Sequence, residues 1–158
     1  MNAGYGNGLF LFKEAVAERV APKTTGFNSL QGKYKPHEGT FIGRFEPGHQ
    51  DTLNYGSLGK AIDVINDIGM QDIENRIQAI GTLAKEAFLE RGLIDAAIAS
   101  RADHASFFNI TGDENLINTL ASNDIISITR GNGVRVGFHY FNTEEDLAIL
   151  LSVIDANV

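Results

Sequence analysis

"GVRVGFHYFNTEEDLAILLSVID", Gly133 to Asp155, changes its hydrophobic period halfway along. In the first half Val134, Val136 and Phe138 fall on one side, and Arg135, Gly137 and His139 on the other. That alternation predicts a strand with one buried face. From Asn142 onward the spacing turns helical. Leu147, Leu150, Leu151 and Ile154 form one stripe, with Thr143 as N-cap and Asp146 three residues on, a near capping box. Immediately upstream, Arg130-Gly131-Asn132-Gly133 separates "DIISIT" (Asp124–Thr129) from the alternating run, and an Asn-Gly pair in that place predicts a hairpin. Further back, "ASFFNITG" (Ala105–Gly112) reads as a strand and "DENLINTLAS" (Asp113–Ser122) as a helix capped by Asp113. From Ala105 the chain therefore predicts an α+β unit, a small, mostly antiparallel sheet with helices on one face.

Before that unit the pattern is helical. "SLGKAIDVINDIG" sets Leu58, Ala61, Ile62, Ile65 and Ile68 on one face, with Gly69 as a stop. "MQDIENRIQAIGTLAKEAFLERG" continues with Ile73, Ile77, Ile80, Ala84, Ala87 and Phe88, ending at Gly92. From Pro22 to Gln50 no period is sustained, which is far longer than the usual connection of about 4–6 residues. "KEAVAERV" (Lys13–Val20) predicts a short helix. The apolar run Leu9–Phe12, entered through Gly4, Gly6 and Gly8, predicts a strand buried on both faces and in need of neighbours.

With 158 residues, 43% of them hydrophobic, the chain has the size and composition of one globular domain. A net charge of −7 offers no basic stripe for phosphates, so no nucleic-acid partner is expected. No apolar run approaches the roughly 20 residues of a membrane span, and no basic segment followed by an apolar one marks a secretory signal. There is no cysteine, hence no disulfide, thiolate metal site or cysteine nucleophile. A soluble cytoplasmic protein without a membrane partner is the expectation.

Several residues are candidates for chemistry. "GYGNG" lacks the order of a dinucleotide fingerprint, because the strand follows the glycines instead of preceding them. His37, His49, His104 and His139 show neither helical pairing nor clustering with carboxylates, so no metal site is expected. Gly48 and His49, in "RFEPGHQDTLN", lie in a polar loop before a helix; such a loop either offers donors to an anion or simply caps the helix. Arg135 sits on a strand beside Gly137, which leaves room in front of it. It is suited to bidentate binding of a carboxylate, and equally to a solvent-facing position on an antiparallel sheet. Arg130, in the hairpin, is a weaker rival. Asp63, Asp67, Asp72 and Glu74 read as solvated helix positions.

Taken in order, these stretches resemble the class V aminotransferase family, pyridoxal-phosphate (PLP) enzymes of fold type I. "GVRVGFHYFNTEEDLAILLSVI" is similar to the family's C-terminal signature through Arg135, Gly137, Phe141, Asn142, Thr143, Glu144 and Glu145. "RFEPGHQDTLNYGSLGKAIDVINDIGMQDIENRI" resembles its Arg-x-Glu-x-Gly-Thr segment and following helix, with His49 where threonine is usual and two extra residues before Asn54. "AGYGNGLFLFKEAVAERV" looks like the glycine turn, strand and helix that follow the cofactor lysine.

The resemblance implies a small C-terminal domain of a fold type I enzyme at 55–158, led by a long loop at 22–54 and a remnant of the large cofactor domain at 1–21. It implies that Arg135 binds the substrate α-carboxylate, and that Gly48 and His49 reach the PLP phosphate of a neighbouring subunit in a homodimer. The short hairpin and absent cysteine argue against a usual cysteine desulfurase and for the epimerase, kynureninase or aminotransferase-like members. The resemblance also implies that the family's Schiff-base lysine falls a residue or two before the position of Met1, so that Lys13, Lys23, Lys33, Lys35, Lys60 and Lys85 do not match it. The expectation is thus a C-terminal fragment of an amino-acid-acting PLP enzyme, with no catalytic residue of its own, inactive alone and not binding PLP alone. The alternative is a stand-alone binding or interaction module that reuses the small domain.

Overall fold

The computed structural model describes residues 3–6, 8–17, 19–24, 26, 40–48 and 51–157. The chain divides into two compact units, Met1–Asp67 and Ile68–Val158.

In the first unit Gly6 takes a φ of +82°, a left-handed conformation that suits glycine, and the Gly4 amide donates to Ser57 Oγ at 2.8 Å. The expected strand at Leu9–Phe12 does not form. The segment is irregular, and Leu11 is 95% exposed. A strand needs a partner for its amides and carbonyls, and this unit contains no other strand among the described residues. Phe10 and Phe12 instead join Phe41 and Phe45 in an aromatic cluster, with neighbouring ring centroids 5.0–6.3 Å apart. Helix α1 is the single turn Glu14–Ala17, shorter than the expected Lys13–Val20. A 3₁₀ turn spans Ile42–Phe45. Helix α2 runs Thr52–Ile68 and starts before the periodic residues do. Its start is set by Asp51, whose Oδ1 accepts from the Leu53 and Asn54 amides, both at 3.1 Å. On the predicted apolar face only Leu58 is buried.

The second unit holds helix α3 (Met70–Glu90), the short helix α4 (Ala96–Ala99), strand β1 (Phe107–Thr111) and helix α5 (Glu114–Ser122). Strands β2 (Ile128–Arg130) and β3 (Gly133–Gly137) and helix α6 (Glu144–Asp155) follow. Glycines at positive φ, Gly69 and Gly92, bracket α3, as the sequence predicts. Its buried residues Ile73, Ile80, Ala84 and Phe88 keep helical spacing. Asp113 caps α5 through the Asn115 and Leu116 amides, and Thr143 caps α6 in a complete capping box with Asp146.

The sheet order is β1-β3-β2, all antiparallel, so β1 and β2 share β3 and never touch. Phe107, Asn109 and Thr111 face Gly137, Arg135 and Gly133 across β1–β3; Ile128 faces Arg135 across β2–β3. The hairpin turns on Gly131 and Asn132, with positive φ at Gly131 alone (+56°). That is the pattern of a type II′ turn, centred one residue earlier than the Asn-Gly pair suggests. β2 is shorter than Asp124–Thr129 because Asp124 is still in a left-handed turn, φ +59°. β3 ends at Gly137 because His139 and Asn142 fold into a local turn. There the Asn142 amide donates to the His139 carbonyl, and Asn142 Oδ1 accepts from the His139 amide.

One face of the sheet is core. Phe108, Ile110, Val134 and Val136 pack with Phe88, Leu116, Leu120, Leu147, Leu150 and Ile154 in a single cluster. The fold of this unit is α+β, with three helices against one face of a three-stranded antiparallel sheet. No helix among the described residues is long and apolar enough to cross a membrane.

Candidate functional site

The pleat places Arg135 on the other face of the sheet. Its neighbours Val134 and Val136 are buried in the core, which fixes the arginine on the opposite side of the strand. Arg135 is half-buried and central, between Asn109 on β1 and Ile128 on β2. Its guanidinium carbon lies 5.2 Å from the centre of the Phe107 ring, a cation–π contact that restrains the fork. Arg135 Nε is buried and has no hydrogen-bond partner among the described residues. A buried donor without a partner costs free energy, about 1–3 kcal/mol for a neutral group and more for a charged one. A carboxylate is the group whose geometry satisfies it best.

The room expected over Gly137 is taken by Phe107. A Cβ at Gly137 would stand 3.2 Å from the Phe107 Cβ. The open space lies instead beside Phe107, in a cavity of about 370 Å³ whose wall includes Arg135, Asn109, Phe107, Arg101, Asp103 and His104. His104 stacks on Phe108 at 4.7 Å, and its Nδ1 bonds the Ala105 carbonyl.

The remaining candidates lie elsewhere. Gly48 is in an exposed bend of the first unit, and His49 and His37 are outside the described residues. Arg130 is exposed at the end of β2, paired with Gly133 and away from the cavity. His139 stacks on Phe141 at 4.9 Å, with its Nδ1 buried and unpartnered among the described residues. Asp63 pairs with Lys60 at 3.1 Å, while Asp67, Asp72 and Glu74 are exposed. No group of metal-ligating side chains converges among the described residues.

Sequence reasoning missed Arg101, Asp103, Asn109 and Phe107. Phe107 and Asn109 become visible only with the β1–β3 register, which sets them opposite Gly137 and Arg135. Arg101 and Asp103 fall in an irregular stretch after α4 that carries no periodic signal.

No protein-family model matches the chain, and no curated protein matches it. A pyridoxal group needs a lysine amine for its Schiff base and a partner for its ring nitrogen. Among the described residues, the cavity wall includes no lysine. Lys60 is paired with Asp63, and Lys85 Nζ donates to the Arg101 carbonyl at 3.1 Å. Among the described residues at this cavity, none supplies that amine; its charged side chains are Arg101, Asp103 and Arg135.

Proposed function

We propose that Arg135 binds the α-carboxylate of an amino acid, and that the chain contributes this recognition element to a class V aminotransferase-like PLP enzyme. On this reading the enzyme acts on an amino acid in the cytoplasm as a homodimer. The Schiff-base lysine comes from residues other than those around Arg135. The observation that carries the proposal is the restrained guanidinium of Arg135, its Nε buried without a partner among the described residues at the wall of a cavity. The order of the motifs around it supports the family half of the reading.

The test is a titration of the purified chain with L-alanine and with ethylamine, followed by NMR at the arginine Nε–H resonances. Alanine is expected to shift the Arg135 signal and ethylamine to leave it in place. Alanine should also shift the backbone amides of Asn109 and Ile128, which flank Arg135. Arg135→Lys keeps the charge but loses the planar fork, and should abolish that backbone response with the rest of the amide spectrum unchanged. Equal responses to both ligands, or an unaltered response in Arg135→Lys, would overturn the carboxylate assignment. In the same sample, PLP followed by borohydride should leave no stoichiometric lysine adduct; such an adduct accompanied by amino-acid turnover would overturn the division of labour.

A further inference from the structure

Arg135 is not the only charge at its cavity. Arg101 and Asp103 line the same wall, so the fixed charges there are two positive and one negative. Arg101 and Asp103 make no ion pair with each other, and neither has another ion pair among the described residues. The backbone of Arg101 is anchored, its amide donating to the Ile98 carbonyl at 3.2 Å and its carbonyl accepting from Lys85 Nζ at 3.1 Å. The volume of about 370 Å³ sits at the small end of the roughly 300–1,000 Å³ usual for ligand sites, which suits one amino acid.

We propose that this cavity selects an acidic amino acid: its α-carboxylate on Arg135, its ammonium toward Asp103 and its side-chain carboxylate on Arg101. The inference rests on the carboxylate role of Arg135 and adds the substrate class. A ligand carrying two negative groups and one positive group between them complements the lining charges one for one. A neutral side chain leaves Arg101 unmatched. Asp103 also disfavours a simple dicarboxylate without an amine, because like charges then meet.

L-Glutamate and L-glutamine separate charge from shape, being nearly the same size. Calorimetric titration of the whole chain should give glutamate about fivefold tighter binding than glutamine, as expected of one partly exposed ion pair. Raising the salt should narrow that gap. Arg101→Gln should bring the affinity for glutamate down to that for glutamine; Arg101 is exposed, and an unchanged amide NMR spectrum would confirm the fold of the variant. Asp103→Asn should weaken both. Equal affinities in the wild-type chain, with Arg135→Lys still abolishing binding, would overturn the second subsite and leave the first standing. If Arg135→Lys changes neither affinity, or neither amino acid binds, the reading of Arg135 fails and this inference fails with it.

Discussion

Arg135 owes its position to its neighbours' side chains more than to any partner of its own. The valines on either side bury one face of β3 and leave the arginine no choice of side. Alternation made that much readable from "GVRVGF". The cation–π contact with Phe107 was not readable, because it depends on which residue of β1 stands opposite Gly137. A strand's own period carries no register information. Close approach at this scale also explains Gly133. A Cβ there would lie 2.5 Å from the Ile110 carbonyl oxygen, an atom held in the ladder and unable to move aside. Gly133→Ala is therefore expected to cost about 1–3 kcal/mol, as overpacking does, read as a lowered urea midpoint with an unchanged slope.

Among the elements, the helices of the second unit were largely legible and the strands less so. Caps and stops such as Asp113, Thr143, Gly69 and Gly92 act through atoms within a few residues, so their signals survive in the sequence. A strand depends on distant partners, which is why Leu9–Phe12 forms none, while β2 and β3 are cut short by turns at Asp124 and at His139–Asn142 that the apolar pattern does not mark. One tie between elements carried no local signal at all. Arg91, just after α3, grips Asp155 at the end of α6 with a bidentate pair, Nε to Oδ1 at 2.7 Å and Nη2 to Oδ2 at 2.9 Å. The hydrogen bonds from Arg91 hold the Asp155 carboxyl below its ordinary 3.8, and raise the affinity of Arg91 for its own proton. A carboxyl depressed on folding adds stability above the unfolded value and loses it as the pH falls through the folded one. Asp146, lowered by the Thr143 amide and Asn142, acts in the same direction. Urea midpoints should thus fall from about pH 4 downward. Asp155→Asn should be less stable than wild type at neutral pH, with the two converging in acid. A gap that persists unchanged below the carboxylate range would show that the pair is not the cause.

For the whole molecule, burial is unevenly shared. Among the described residues, Leu58 is the one buried apolar side chain of the first unit, whereas the contiguous core lies wholly in the second. Stability follows buried apolar area, so native-state hydrogen exchange should place the slowest amides in β3 and the facing turns of α3 and α6. Those amides should exchange together in one cooperative opening, and amides of α1 and the Ile42–Phe45 turn should exchange far faster. Equal protection in the two units would contradict this distribution. The α+β class was legible because it needs only the succession of periods. The cavity at Arg135 was not, because its wall joins an irregular segment to two strands through the fold.

The order β1-β3-β2 also governs how the sheet can be born. Two of its strands precede the third, and both wait for it. While the ribosome is still short of Gly133, neither β1 nor β2 has a partner, and the amides of both stay committed to solvent. The last strand made is thus the template for the whole sheet, and the pocket wall that carries Arg135 is assembled in one late step. Until β3 is in place, helices α3 and α5 have no completed sheet against which to bury their apolar faces, an interval of exposed apolar surface of the kind chaperones bind.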